Sequence, residues 1–271
     1  MKRRGFMGLL IGSFLLGWRR VTEAVCNPAL VDLLEQGRAL IQAGRGKSPR
    51  IGEYYLQWFG HSSFLLHSGS ETRVVTDPNF NVTPGIEAHA VTVSNDHATH
   101  NNVGAVAGNP VILRGITLRQ TWNPIRTSVK DIVIVNMPSQ RGLFWGGVAN
   151  SIFIYETGSL CLAHLGNIGH LLTPEQQKVM ERVDVMMTPI DAMTNLGFED
   201  LVQVIEQVKP PIVIPMHYDA PRQADLFADF VEKRYSVRRI KESRLTLSRT
   251  MLPKTTEVFI MTHPRPVLRW E

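Results

Sequence analysis

Apolar, strand-like runs that stop at histidine constrain this chain more than any other feature of its sequence. The fullest example is Val91-Thr-Val-Ser-Asn-Asp-His-Ala-Thr-His-Asn-Asn102. Ala90 to Val93 is apolar and β-branched, the composition of a buried strand. It gives way to Ser94-Asn95-Asp96, residues that favour turns and helix caps. His97 and His100 follow three apart, a spacing at which one helical turn brings both imidazoles to one side. His164 and His217 also close predicted strands. Strand ends on one edge converge in space, and neutral imidazole is a favoured zinc ligand, so the four together predict a metal site.

The rest of the chain supplies strands and helices for one α/β unit. Asn27-Pro28 starts a predicted helix that Gly44-Arg45-Gly46 stops. Strands are predicted at Tyr54 to Phe59, Thr72 to Thr76, Ala90 to Val93, Val111 to Leu113, Ile116 to Thr121 and Asp131 to Asn136. Ser151 to Glu156 and Leu160 to His164 read as a hairpin about Thr157-Gly158. Beyond it strands and helices alternate. Thr173 caps a helix with Pro174 first and Gln176 third, a near capping box. Val183 to Thr188 is a strand, Phe198 to Val208 a helix, Ile212 to Met216 a strand, Ala224 to Lys233 a helix and Glu257 to Thr262 a strand. A β-rich first half and a β/α second half predict layered sheets in a single domain, residues 25–271.

Charge and cysteine narrow the function classes. The formal net charge is +5, but Lys2, Arg3, Arg4, Arg19 and Arg20 against Glu23 carry +4 of it. The remainder is nearly neutral, so nucleic acid is not an expected partner. The basic run Lys233 to Lys254 lacks interleaved aromatics and reads as a solvated face. With only Cys26 and Cys161 there is neither a disulfide framework nor a thiolate metal cluster, and Cys161 reads as a buried, inert thiol. Residues 1–24 read as an export signal of twin-arginine type. Arg3-Arg4-Gly5-Phe6-Met7 precedes an apolar run, and small residues at Thr22 and Ala24 suit cleavage. Export to the periplasm is expected; the alternative is a membrane anchor formed by residues 6–18.

Four motifs occur in an order that resembles the metallo-β-lactamase superfamily, in the branch similar to ascorbate-phosphate lactonases. They are Trp58-Phe-Gly-His-Ser-Ser-Phe64, Val75-Thr-Asp-Pro78, Ala163-His-Leu-Gly-Asn-Ile-Gly-His170 and Ile214-Pro-Met-His-Tyr218. The resemblance spans about Tyr54 to Tyr218. It implies a four-layer αβ/βα sandwich with a hydrolytic site at one edge of its two sheets. It also implies a ligand pattern His-x-His-x-Asp-His, here Asn95, His97, Thr99 and His100, followed by positions matched by His164, Asn167 and His217. One metal site would be Asn95, His97 and His164. The other would be Thr99, His100 and His217, with Asn167 in place of the bridging aspartate.

That departure has a physical consequence. Two divalent cations about 3.5–4 Å apart depend on anionic ligands for neutralisation. An amide, a hydroxyl and neutral imidazoles supply none. The expectation is therefore one zinc or none, with His97, His100, His164 and His217 as ligands. Asn95 and Asn167 would hydrogen-bond the nucleophile or the oxyanion, and His61 would approach the substrate pocket.

Further candidates are Asp77, which could accept from a ligand histidine and fix its tautomer, and His170, which could line the pocket. Asp191 could be a recruited acid, and Arg141 could bind an anionic group beside Phe144 and Trp145. Two functions follow. One is a hydrolase acting on an ester, lactone, amide or phosphoester of a small molecule. The other is a non-catalytic ligand- or partner-binding protein on the same fold.

Overall fold

The computed structural model describes residues 54–82, 85–142, 149–157 and 160–264. The export signal, the predicted helix after Asn27, and Phe144 and Trp145 lie outside them.

Two sheets form the body. The first holds β1 (Tyr54–Gly60), β2 (Ser63–His67), β3 (Arg73–Thr76), β4 (Ala90–Val93), β5 (Val111–Arg114) and, from late in the chain, β13 (Arg244–Leu247). Their spatial order is β13-β1-β2-β3-β4-β5. The second holds β6 (Arg126–Val129), β7 (Ile132–Gln140), β8 (Ala149–Glu156), β9 (Cys161–His164), β10 (Val185–Pro189), β11 (Ile212–Met216), β12 (Ser236–Ile240) and β14 (Glu257–Met261). Its order is β12-β14-β11-β10-β9-β8-β7-β6. Among the described residues three α-helices accompany it: α1 (Pro174–Met180), α2 (Phe198–Val208) and α3 (Pro221–Val231). Thr173 and Gln176 complete a capping box at the start of α1.

Strand direction decides where the site lies. β1 and β3 both run antiparallel to β2, and β4 and β5 run parallel to β3. The C-terminal ends of β1, β3, β4 and β5 therefore share one edge. In the second sheet β9, β10 and β11 are parallel, and β7 runs with them because both flank antiparallel β8. The two edges meet: Ser151 N–H donates to Ser94 O at 2.9 Å, and His217 N–H donates to His61 O at 2.8 Å. Each residue of β9, β10 and β11 is buried, as expected of parallel strands covered on both faces. Burial at about 25 cal/mol per Å² of apolar surface holds the sheets together. Trp58, Phe64, Phe153, Ile154 and Met187 belong to this shared core.

Several predicted elements differ. Ile116 to Thr121 is a turn, not a strand: Thr117 N–H donates to Thr121 O at 2.8 Å and Gln120 takes φ 58°. Threonine hydroxyls offered the backbone a local partner in place of a ladder. The basic run after Lys233 contains edge strands β12 and β13, where Arg238 pairs with Glu257 and Arg239 with Asp225. Charged edge strands resist pairing with other chains, which is why their composition hides them. β6 also went unforeseen, its hairpin closing at Lys130 with φ 52°. Helix α3 begins at Pro221 rather than Ala224, using proline in the first turn.

Cys161 is buried but disulfide-bonded rather than a free thiol. A strand's composition carries no information about whether its cysteine is oxidised. Among the described residues no helix is long and apolar enough to cross a membrane.

Candidate metal centre

Three strand ends deliver the centre through strained backbone. At the end of β1 Gly60 takes φ 94°, and His61, directly after it, takes φ 51°. Asp77, directly after β3, takes φ 37°, and His217, after β11, takes φ 62°. Left-handed backbone is uncommon for residues with a Cβ and persists where the surroundings enforce it. Here they do: His61 O accepts from His217 N–H at 2.8 Å and from the Trp58 indole at 3.0 Å. Asp77 N–H donates to Thr92 O at 2.8 Å.

His61, His100 and His217 each offer one ligand atom, all within 4.8 Å of one another. Every one of the three also meets a carboxylate through Nδ1. His100 Nδ1 lies 2.6 Å from Asp77 Oδ2, His217 Nδ1 lies 3.0 Å from Asp191 Oδ2, and His61 Nδ1 lies 3.4 Å from Asp219 Oδ1. Asn195 Nδ2 is 3.4 Å from His217 Nδ1, but the nearer, charged Asp191 oxygen sets that tautomer. With the hydrogens of His100 and His217 on Nδ1, their Nε2 lone pairs are left facing each other, as in carboxylate–histidine–metal arrangements.

Burial keeps the His100 and His217 rings neutral. It pulls His100 down to about 3 against the opposing charge and hydrogen bond of Asp77. Burial lowers His217 as well, outweighing Asp191. On the carboxylates, burial raises Asp77, but His100 and His164 outweigh it and hold the group below its ordinary value. Asp191 is likewise raised by burial and then carried well below normal by His217, Thr194 and Asn195. The Asp219 carboxyl is lowered first by its hydrogen bond with His61.

The geometry fits one small cation. His100 Nε2 and His217 Nε2 face each other at 3.2 Å. Two lone pairs at that distance repel, and His61 Nε2 is buried with no hydrogen-bond partner. A zinc–nitrogen distance of about 2.0–2.1 Å places two tetrahedral ligands about 3.3 Å apart. Three converging imidazoles suit zinc chemistry.

The expected quartet is not what converges. His97 is exposed, its Nδ1 lies 2.9 Å from Thr99 Oγ1, and it stands outside the group of three. His164 is buried with both ring nitrogens engaged by backbone. Its Nε2–H donates to Ser62 O at 2.8 Å and its Nδ1 accepts from Gly166 N–H at 3.2 Å. His61 takes the third place instead. Asp219, two residues past His217, was not anticipated from sequence, although it sits beside a strand-end histidine.

Amides fill the neighbouring seam. Asn95 Oδ1 accepts from His97 N–H at 3.1 Å and Asn95 Nδ2 donates to Ser94 Oγ at 3.0 Å. Asn150, unforeseen, accepts from Asn167 N–H at 2.9 Å and donates to Leu165 O at 3.0 Å. Asn167 is 1% exposed, and neither amide atom of its side chain has a hydrogen-bond partner. Gly166 permits this packing, since a Cβ there would fall 2.4 Å from Asn150 Oδ1. Arg141 is half-buried where it feels Asp191, and its charge in turn lowers His97 after burial has done so. His170 bonds Ser139 and Leu171 rather than any member of the trio.

Residues 55–217 match the family described as Beta-lactamase superfamily domain. A UPF0173 metal-dependent hydrolase of Salinibacter ruber is 26% identical over 203 residues, 64% of this chain and 89% of its own length. Another, from Methanosarcina mazei, is 21% identical over 197 residues, 62% of this chain and 85% of its own. A Thermotoga maritima crystal structure whose description places it in the metallo-β-lactamase superfamily superposes with a TM-score of 0.59. It is 26% identical and covers 77% of this chain and 98% of its own. This chain therefore belongs to the family described as Beta-lactamase superfamily domain and folds as a metallo-β-lactamase sandwich.

Proposed function

We propose that this chain is a hydrolase with a single zinc held by His61, His100 and His217. Its substrate is a small molecule with an ester, lactone, amide or phosphoester bond. The observation that carries the reading is the 3.2 Å approach of two Nε2 atoms whose rings both have Nδ1 on an aspartate. When bound, zinc supplies Lewis acidity, lowering the pKa of water to about 7 and polarising the scissile carbonyl or phosphoryl group.

The remaining work falls to the chain. Asp77, Asp191 and Asp219 hold the three rings in their tautomers. The unpartnered amide of Asn167 hydrogen-bonds the substrate or the developing oxyanion. Arg141 attracts an anionic part of the substrate. His97, exposed but with its pKa lowered by desolvation against the protein and by the charge of Arg141, offers a base to take the proton that an amide cannot.

The amide seam of Asn95, Asn150 and Asn167 favours a second reading, a binding protein that uses the same pocket without turnover. One measurement separates the two. Protein purified without added zinc is assayed for metal and then titrated with zinc while its melting temperature is followed. The hydrolase reading expects up to one zinc per chain and a rise in melting temperature. No metal and no shift would leave only the binding reading, whereas two ions per chain would refute the single-ion site.

The same proposal places the protein outside the cytoplasm, exported through residues 1–24 or anchored by residues 6–18. A disulfide at Cys161 supports an oxidising compartment. Replacing Arg3-Arg4 with two lysines should block twin-arginine export; unchanged secretion would reject that route.

A further inference from the structure

Ser139 and His170 make a pairing that the metal centre does not use. His170 Nδ1–H donates to Leu171 O at 2.8 Å. That bond assigns the ring hydrogen to Nδ1 and leaves a lone pair on Nε2, which lies 3.0 Å from Ser139 Oγ. The serine hydroxyl is therefore the donor. A hydroxyl bonded to a basic nitrogen, on a ring whose other nitrogen is held by a third group, is the arrangement that activates a serine nucleophile. A backbone carbonyl here fills the orienting role.

The pair stands at the catalytic edge. Ser139 lies near the C-terminal end of β7, which runs in the same direction as β9 and β10. Two residues on, Arg141 is close enough to feel Asp191 and to act on His97. The segments carrying the pair are locked together, since Gly169 N–H donates to Gln140 O at 2.9 Å. A Cβ at Gly169 would fall 2.0 Å from Gly142 N, so only glycine allows the approach. Ser139 is 7% exposed and His170 more so, which gives a small electrophile a way in without flooding the pair with water.

We propose that Ser139 and His170 form a metal-independent nucleophile–base pair that takes small acyl esters. Ser139 Oγ attacks the ester carbonyl carbon while its proton passes to His170 Nε2. The carbon–oxygen bond to the leaving alcohol breaks, and that alcohol departs with the proton, leaving an acyl-serine. Water then gives a proton to His170 Nε2 and attacks the acyl carbon. The carboxylic acid departs, and the proton returns to Ser139 Oγ.

The test uses the full chain and an ethyl fluorophosphonate probe, with intact mass and peptide mapping as readouts. The expected result is a single adduct on Ser139, formed equally with and without EDTA and absent from Ser139→Ala. In His170→Leu its rate should fall about 100-fold or more, the usual contribution of a general base. A smaller reagent covers steric exclusion of the probe: in the Ser139→Cys variant, iodoacetamide should alkylate the introduced thiol well below the pH an ordinary thiol needs. Adding His170→Leu should restore the ordinary pH profile. Parallel melting curves identify any variant that fails to fold. Absence of both the Ser139 adduct and a shifted alkylation profile in the Ser139→Cys variant overturns the proposal. So does labelling that His170→Leu leaves unchanged, or labelling that EDTA abolishes. Zinc stoichiometry is untouched by any of these outcomes, so this pair can fail while the metal-centre reading stands.

Discussion

His100 Nε2 and His217 Nε2 face each other at 3.2 Å although each ring commits its Nδ1 hydrogen to an aspartate. Two inward lone pairs raise the energy of the protein alone and lower it once a cation lies between them. The strain stored at His61, Asp77 and His217, all with positive φ, belongs to the same design.

This sets the ranking of the histidines. His61→Ala, His100→Ala or His217→Ala should each abolish zinc binding and the accompanying thermal shift. His97→Ala should leave both nearly unchanged, because that ring is exposed and turned to Thr99. Metal analysis of the four variants checks the order. Loss of zinc in His97→Ala with retention in His61→Ala would restore the motif-based quartet.

Asp77 should matter to stability and to metal. Its two oxygens accept from His100, from Ser94 N–H at 2.7 Å and from the Ser94 hydroxyl. Asp77→Asn puts a donor where an acceptor is needed and should cost about 1–3 kcal/mol, read by urea unfolding. Zinc affinity should fall about 10–100-fold through the misdirected His100 ring. An unchanged urea midpoint would show that the Asp77 carboxylate does not hold this region together.

Stability of the metal-free protein should fall as pH drops from 7. His100 and His217 are depressed in the folded state, so between about 6.5 and their folded values the unfolded chain binds more protons. Each proton of that difference removes about 1.4 kcal/mol per pH unit. The depressed Asp77 and Asp191 extend the loss below the ordinary carboxylate range. Urea midpoints across pH 4–8 check the sign. A flat profile in His100→Gln relative to the parent would assign the slope to that ring.

Restoring anionic ligands should restore a second ion. Asn95→His, Thr99→Asp and Asn167→Asp together should raise the metal content from one to two per chain. Asn167→Asp alone should destabilise the protein when metal is withheld, since it buries a charge where a neutral amide now sits. If the triple variant gains no metal, the seam does not correspond to a metal position.

Much of this architecture is legible in the sequence. β4, α2 and β11 have the bounds that β-branched composition and helical periodicity dictate, and Thr173 caps its helix with the residues that capping requires. Local chemistry sets those features. It also hides others: β12 and β13 look like solvated surface because edge strands carry charge, and Thr117 to Thr121 looks like a strand while its hydroxyls close a turn. At the site, the sequence alone determined that histidines and aspartates stand at strand ends, while the family resemblance implied carboxylates where Thr99 and Asn167 stand. Which ring nitrogens meet was decided by tertiary structure. His164 turns its Nε2 to Ser62 O, His97 stays outside, and His61 arrives because Gly60 lets β1 reverse sharply into the seam. Composition fixes where a chain can place an imidazole, but a ligand is chosen by lone-pair direction. That direction depends on the hydrogen bond made by the other nitrogen, to a residue far away in the chain.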